Sequence, residues 1–142
     1  MRKWLINYAK DKILNSFRVL EQLGYVIVKH GFSDKDEFVI NFGNSITKKD
    51  IDFTISDSED VNRFYLIISI IRKPYLVVND FIAFDVYLKK NNIPFKDALE
   101  GDEINEASIE EYINDYSELF KIHGINLITS DQQFPHYFPE WT

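Results

Sequence analysis

The apolar residues of this chain repeat with two different periods, and the switch between them at Gly24 constrains the fold more than any other feature of the sequence. Before the switch, Trp4, Leu5, Tyr8, Ala9, Ile13, Phe17, Leu20 and Leu23 recur at intervals of three and four, the spacing of an amphipathic helix. Lys10, Asp11, Lys12, Asn15, Arg18 and Glu21 fill the other side, and Gly24 stands where a helix C-terminus wants a left-handed residue. After the switch the period becomes two. Tyr25-Val26-Ile27-Val28 and Phe38-Val39-Ile40-Asn41-Phe42 predict two strands of a hairpin, with Gly31 and Ser33-Asp34-Lys35-Asp36-Glu37 as its turn. Gly43-Asn44 predicts the next turn, and Ile51, Phe53 and Ile55 then alternate with Asp52, Thr54 and Ser56, as in a strand with one buried face. Residues 64–71 are apolar almost throughout and predict a central strand covered on both sides.

Lys73-Pro74 ends that pattern, since proline has no ladder donor. Phe81, Ile82, Phe84, Asp85, Tyr87 and Leu88 fit a second helix, capped near Asn79 or Asp80 and finished by Asn91-Asn92 before Pro94. Residues 94–105 have no clear period. Ser108 precedes Glu111 by three, a capping-box spacing, and Ile109, Tyr112, Ile113, Tyr116, Leu119 and Phe120 make the apolar stripe of a last helix that Gly124 should stop. A tail with Phe134, Pro135, His136, Tyr137, Phe138, Pro139 and Trp141 follows; it reads as irregular cover for the sheet, or as an aromatic docking patch anchored by Tyr137 and Trp141. The expected architecture is a single α+β domain over residues 1–142. It comprises an N-terminal helix, an antiparallel meander of about four strands, two C-terminal helices on the same face as the first, and the aromatic tail.

Composition narrows the function classes. With 142 residues and no cysteine, the chain is long enough for a core without staples and has no thiol nucleophile or thiolate metal site. The start, Met1-Arg2-Lys3-Trp4, lacks the unbroken apolar segment of a signal peptide, and no stretch approaches the length of a membrane span, so a cytoplasmic location away from the membrane is expected. The net charge is -7, concentrated at one end: residues 101–142 hold one Lys against nine Asp and Glu. A surface of that sign repels a phosphate backbone and attracts a basic protein, so no direct nucleic-acid contact is expected there.

The sequence offers little catalytic apparatus. His30, His123 and His136 lie in no recognised motif, and nucleophile elbows, phosphate loops and zinc-helix patterns are missing. Asp50 and Asp52 project to the same side of a regular strand and, with a further acid, could hold Mg²⁺ or Ca²⁺, which keeps a metal-dependent hydrolase as a rival reading. Neither a cofactor nor a resident metal is expected. More telling is the last helix, where Glu106, Glu110, Glu111, Asp115 and Glu118 face away from the apolar stripe and Asp102 and Glu103 prolong the charge upstream. Lys121 is the sole basic residue beyond position 100, so these carboxylates lack cations in the sequence around them and make the expected partner-binding surface, with Tyr137 and Trp141 as aromatic anchors.

The succession of an N-terminal helix, the turn Phe42-Gly43-Asn44, the strand Ile51-Asp52-Phe53-Thr54-Ile55-Ser56-Asp57, the strand Tyr65-Leu66-Ile67-Ile68-Ser69-Ile70-Ile71-Arg72 and then acidic helices resembles small immunity proteins of bacterial contact-dependent and other polymorphic toxin systems. The resemblance runs over most of residues 1–123 and is one of architecture. It implies a non-enzymatic cytosolic antitoxin that binds one cognate toxin domain, such as a nuclease, across its basic surface and blocks it. A phage or mobile-element inhibitor that imitates the charge of DNA against a host nucleic-acid enzyme is the rival binding function.

Overall fold

The computed structural model describes residues 2–75, 77–130 and 134–135. Two helices, α1 (Lys3–Ser16) and α2 (Val19–Gln22), lead into strands β1 (Val26–Asp34), β2 (Glu37–Asn44), β3 (Lys49–Ser58) and β4 (Arg63–Arg72). Strand β5 (Phe81–Ala83), helix α3 (Phe84–Lys90), strand β6 (Leu99–Glu100) and helices α4 (Glu106–Leu119) and α5 (Ile125–Thr129) complete the chain. The expected α+β class, with an N-terminal helix, an antiparallel sheet and C-terminal helices, is what the chain forms.

All pairings are antiparallel and the strand order is β1-β2-β3-β4-β5, with β6 also on β4. Register aligns the apolar residues in rows: Ile40 opposes Phe53, which opposes Ile68, and Phe42, Ile51, Ile70 and Ile82 follow in the same way. Because side chains alternate, these rows share one face, and all seven of these side chains except Phe42 are 2 % exposed or less. Leu5, Ala9 and Ile13 of α1, Phe84 and Leu88 of α3, and Ile109 and Ile113 of α4 close over that face. A run of ring contacts joins the layers: Phe42 to Phe53, Phe53 to Phe17 at 4.7 Å, Phe17 to Phe120 and Phe120 to Phe84 at 5.3 Å. The opposite face, with Thr54, Ile67, Ser69 and Asp52, is only partly covered.

Four local expectations need correction. The first helix breaks at Phe17, whose ring turns into the core between Phe53 and Phe120; the Ser16 carbonyl freed by the break accepts the Ser117 hydroxyl at 2.7 Å. Gly31 lies inside β1 rather than in a turn, and the turn shrinks to Lys35-Asp36, because Phe32 extends the ladder by meeting Phe38 edge-on at 5.2 Å. Strand β4 is central but alternates, with Phe64, Leu66, Ile68 and Ile70 buried and Ile67 and Ile71 only half-buried opposite Thr54 and Phe81. Finally, Phe81, Ile82 and Ala83 form β5, and the second helix begins only at Phe84.

The two ends of the helical layer are fixed by polar contacts. Asp57 is fully buried and receives the Arg2 backbone N–H at 2.8 Å together with its guanidinium, which ties the start of α1 to β3. Lys49, 2 % exposed, donates to the Ile128 and Ser130 carbonyls and so caps the C-terminus of α5. Gly24, at φ +91°, ends α2 while the Tyr25 N–H donates to the Leu20 carbonyl at 2.9 Å, and the Asn44 amide fills the space where a Cβ would point.

Candidate functional site

Helix α4 begins on an Asn105 cap, whose side-chain oxygen accepts the Ser108 N–H at 2.9 Å. Ser108, expected to cap the helix itself, therefore lies in its first turn. The helix does not stop at Gly124 either: it widens into a π-turn over Phe120–Gly124 and continues as α5. Gly124 is there for space, since a Cβ would come within 2.5 Å of the buried Phe120 ring.

This course divides the acidic residues among three surroundings. Glu110 turns towards α1, where it accepts from Tyr8 Oη at 3.3 Å and Lys12 Nζ at 3.2 Å; donating to Glu110 holds the Lys12 ammonium above its usual pKa. Glu103, on the turn before α4, is paired with Lys96, which lowers its carboxyl pKa, and Glu118 is paired with Lys121 one turn on at 3.2 Å. The expectation that these carboxylates lack cations is thus overturned for Glu103, Glu110 and Glu118. Two of the three cations, Lys12 and Lys96, are remote in sequence and are brought in by packing. Asp102, Glu106, Glu111 and Asp115 are exposed and pair with no cation among the described residues.

Glu111 and Asp115 border a groove of about 480 Å³ between α4 and the segment 94–99. Its floor and far wall are apolar, from Tyr112, Tyr116 and Leu119 of α4 to Pro94, Phe95 and Leu99 opposite, with the exposed Ile122 at one end. Glu103 and Glu118 complete the acidic rim. An apolar trough edged by carboxylates can desolvate a side chain and still meet a positive charge at its lip. Within it Tyr112 is anchored twice, accepting from the Leu66 N–H and donating to the Asp97 carbonyl, each at 3.1 Å. The Tyr116 hydroxyl is buried with no hydrogen-bond partner among the described residues, and burial raises its pKa well above the ordinary phenol value.

The other sequence candidates are dispersed. Asp52 accepts from the Asn41 amide and Asp50 is paired with Lys73 at 2.8 Å, so both carboxylates already have protein partners on the open face of the sheet. No group of three His, Cys, Asp or Glu placed to hold a metal occurs among the described residues. His30 stands on β1, 6.0 Å from the Phe38 ring, and His123 in the π-turn. Tyr137 and Trp141, like His136, lie outside the described residues. Phe95 and Lys96 were missed as site residues; the sign available was an aromatic residue directly after the proline that follows a helix end.

The molecule is therefore an α+β protein with one helical layer on a meander sheet and an acid-rimmed groove along α4. Comparison with family models, curated proteins and solved structures finds no match. No described helix is long and apolar enough to cross a membrane.

Proposed function

We propose that this chain is an immunity protein, an antitoxin that neutralises one cognate bacterial toxin domain by binding it stoichiometrically through the α4 groove. The observation that carries the reading is that Glu111 and Asp115, which pair with no cation among the described residues, stand beside an apolar trough. A basic toxin surface, such as the phosphate-binding cleft of a nuclease, supplies the missing charge, and the trough supplies the water-excluded contact that slows dissociation. Sequestering the cleft requires no chemistry from the antitoxin, in keeping with the engagement of Asp50 by Lys73 and of Asp52 by Asn41.

The test is protection of a living cell. When the product of the neighbouring gene is induced, cells carrying this chain should survive and cells lacking it should die. The double charge reversal E111K/D115K should abolish protection while the purified variant keeps its wild-type circular dichroism. Protection unaltered by the reversal would remove the groove from the interface, and failure to neutralise any product of the locus would remove the immunity reading.

A further inference from the structure

Strand β1 is the open edge of the sheet. It stands first in the strand order, pairs with β2, and meets no strand on its outer side among the described residues. Such an edge presents a row of N–H and C=O groups that a further strand can take up. The apolar rows of the covered face run on into it. Ile70, Ile51 and Phe42 continue to Ile27; Ile68, Phe53 and Ile40 to His30; and Leu66, Ile55 and Phe38 to Phe32. Burial is lost only at the last step, for Phe38 is 7 % exposed and its neighbour Phe32 64 %. Val26 and Val28 add two exposed branched side chains to the same strand. Edges are ordinarily blunted by charge, and here the charges are ordered by sign: Lys29 precedes Gly31 and Asp34 follows it. Neither has an ion pair among the described residues. The bulge between Phe32 and Asp34 puts Lys29 and Asp34 on one face of the sheet, opposite Asn41 and Glu37, while His30 and Phe32 share the other, opposite Ile40 and Phe38.

We infer that β1 is a dimer interface, pairing antiparallel with β1 of a second copy about a two-fold axis at Gly31. Reversing the strand about that point sets His30 of each copy opposite Phe32 of the other and, with Ser33 bulged out, Lys29 opposite Asp34. Each contact occurs twice, as a two-fold interface requires. The apolar rows then pass from one sheet into the next. Each cation without an ion pair meets a carboxylate without one directly across the ladder, and opposite charges in that position are stabilising. Gly31, at the axis, has no side chain to hold the two backbones apart. No β1 residue lines the α4 groove, so the dimer is independent of the proposed antitoxin role.

Sedimentation equilibrium of the whole chain, from micromolar to millimolar concentration, should show the mass of one chain rising to that of two and stopping there, because a two-fold contact closes on itself. Amide exchange at residues 29–34 should slow over the same range. Lys29→Glu and Asp34→Lys should each weaken the dimer at least about fivefold, since each sets like charges across the ladder twice, and the two together should restore it. Phe32→Ser should weaken association too while circular dichroism stays wild type, its ring being largely exposed in a single copy. A chain that stays single at every concentration, a mass that climbs past two, protection that arises on another element, or a double exchange that fails to restore pairing would each overturn the inference. So would β1 amides that become protected only when the product of the neighbouring gene is added, which would give the edge to that protein's strand.

Discussion

Tyr112 and Tyr116 are the same residue type one turn apart on one helix, and their hydroxyls meet opposite fates. Tyr112 bridges the Leu66 N–H and the Asp97 carbonyl, which joins α4 to β4 and to the strap that walls the groove. Burial pushes its pKa up to about 12, partly offset by the Leu66 hydrogen bond. The folded chain therefore keeps a proton that the unfolded chain releases near pH 10, so between those values the native state binds more protons and stability falls as pH rises. Below pH 10 the contribution is complete. Through pH 12 roughly 3 kcal/mol of it disappears, on the scale of 1.36 kcal/mol per unit. Urea midpoints measured from pH 9 to pH 12, with phenolate absorbance followed alongside, should fall across this window, and Tyr112→Phe should show a shallower fall. A wild-type midpoint flat to pH 12 would show that the phenol is not held in its neutral form.

At the scale of elements, α4 is positioned by its first turn. Asn105 accepts the Ser108 N–H and donates its amide to the Asp102 carbonyl, so one side chain satisfies a free helix donor and links the cap to the preceding turn. Asn105→Ala should cost about 1 kcal/mol, the usual value of an N-cap, in urea denaturation, whereas Ser108→Ala should leave the midpoint nearly unchanged. The reverse order would restore Ser108 as the cap. The two glycines that end helices in the sequence pattern show what periodicity can and cannot disclose. Gly24 was legible because a left-handed stop needs only local backbone freedom, and β3 was legible because its core residues alternate over most of the strand. Gly124 was not, since its role is set by the Phe120 ring resting against it, a contact invisible to spacing. The break at Phe17 and the short β5 escaped for the same reason: a ring in the core and three residues of edge pairing on β4 overrode a plausible helical period. Likewise the acidic stripe was legible on α4, but Lys12 for Glu110 and Lys96 for Glu103 arrive through tertiary packing, and only the folded chain separates paired acids from unpaired ones.

For the whole molecule this separation decides how much of the net charge of -7 is available to a partner. Acids already matched by Lys12, Lys96 and Lys121 contribute little to the outward field, while Asp102, Glu106, Glu111 and Asp115 contribute fully, and all four belong to α4 or the turn before it. These four make an acidic patch along α4 and the turn before it, of the kind that orients an approaching basic protein before contact. Screening at 0.1 M salt acts over about 10 Å, so it suppresses this long-range steering while sparing charges sealed within the trough. Association with the proposed toxin partner, measured by stopped flow, should therefore slow at least about tenfold between 0.02 M and 0.5 M salt, with dissociation changing less. E106Q/E111Q/D115N should lower the low-salt rate and flatten the salt dependence. Glu110→Gln should leave both close to wild type, because that charge is already spent on Lys12 within the α1–α4 seam. A rate indifferent to salt, or one as sensitive to Glu110 as to Glu111, would mean that the unpaired carboxylates of α4 do not guide the encounter.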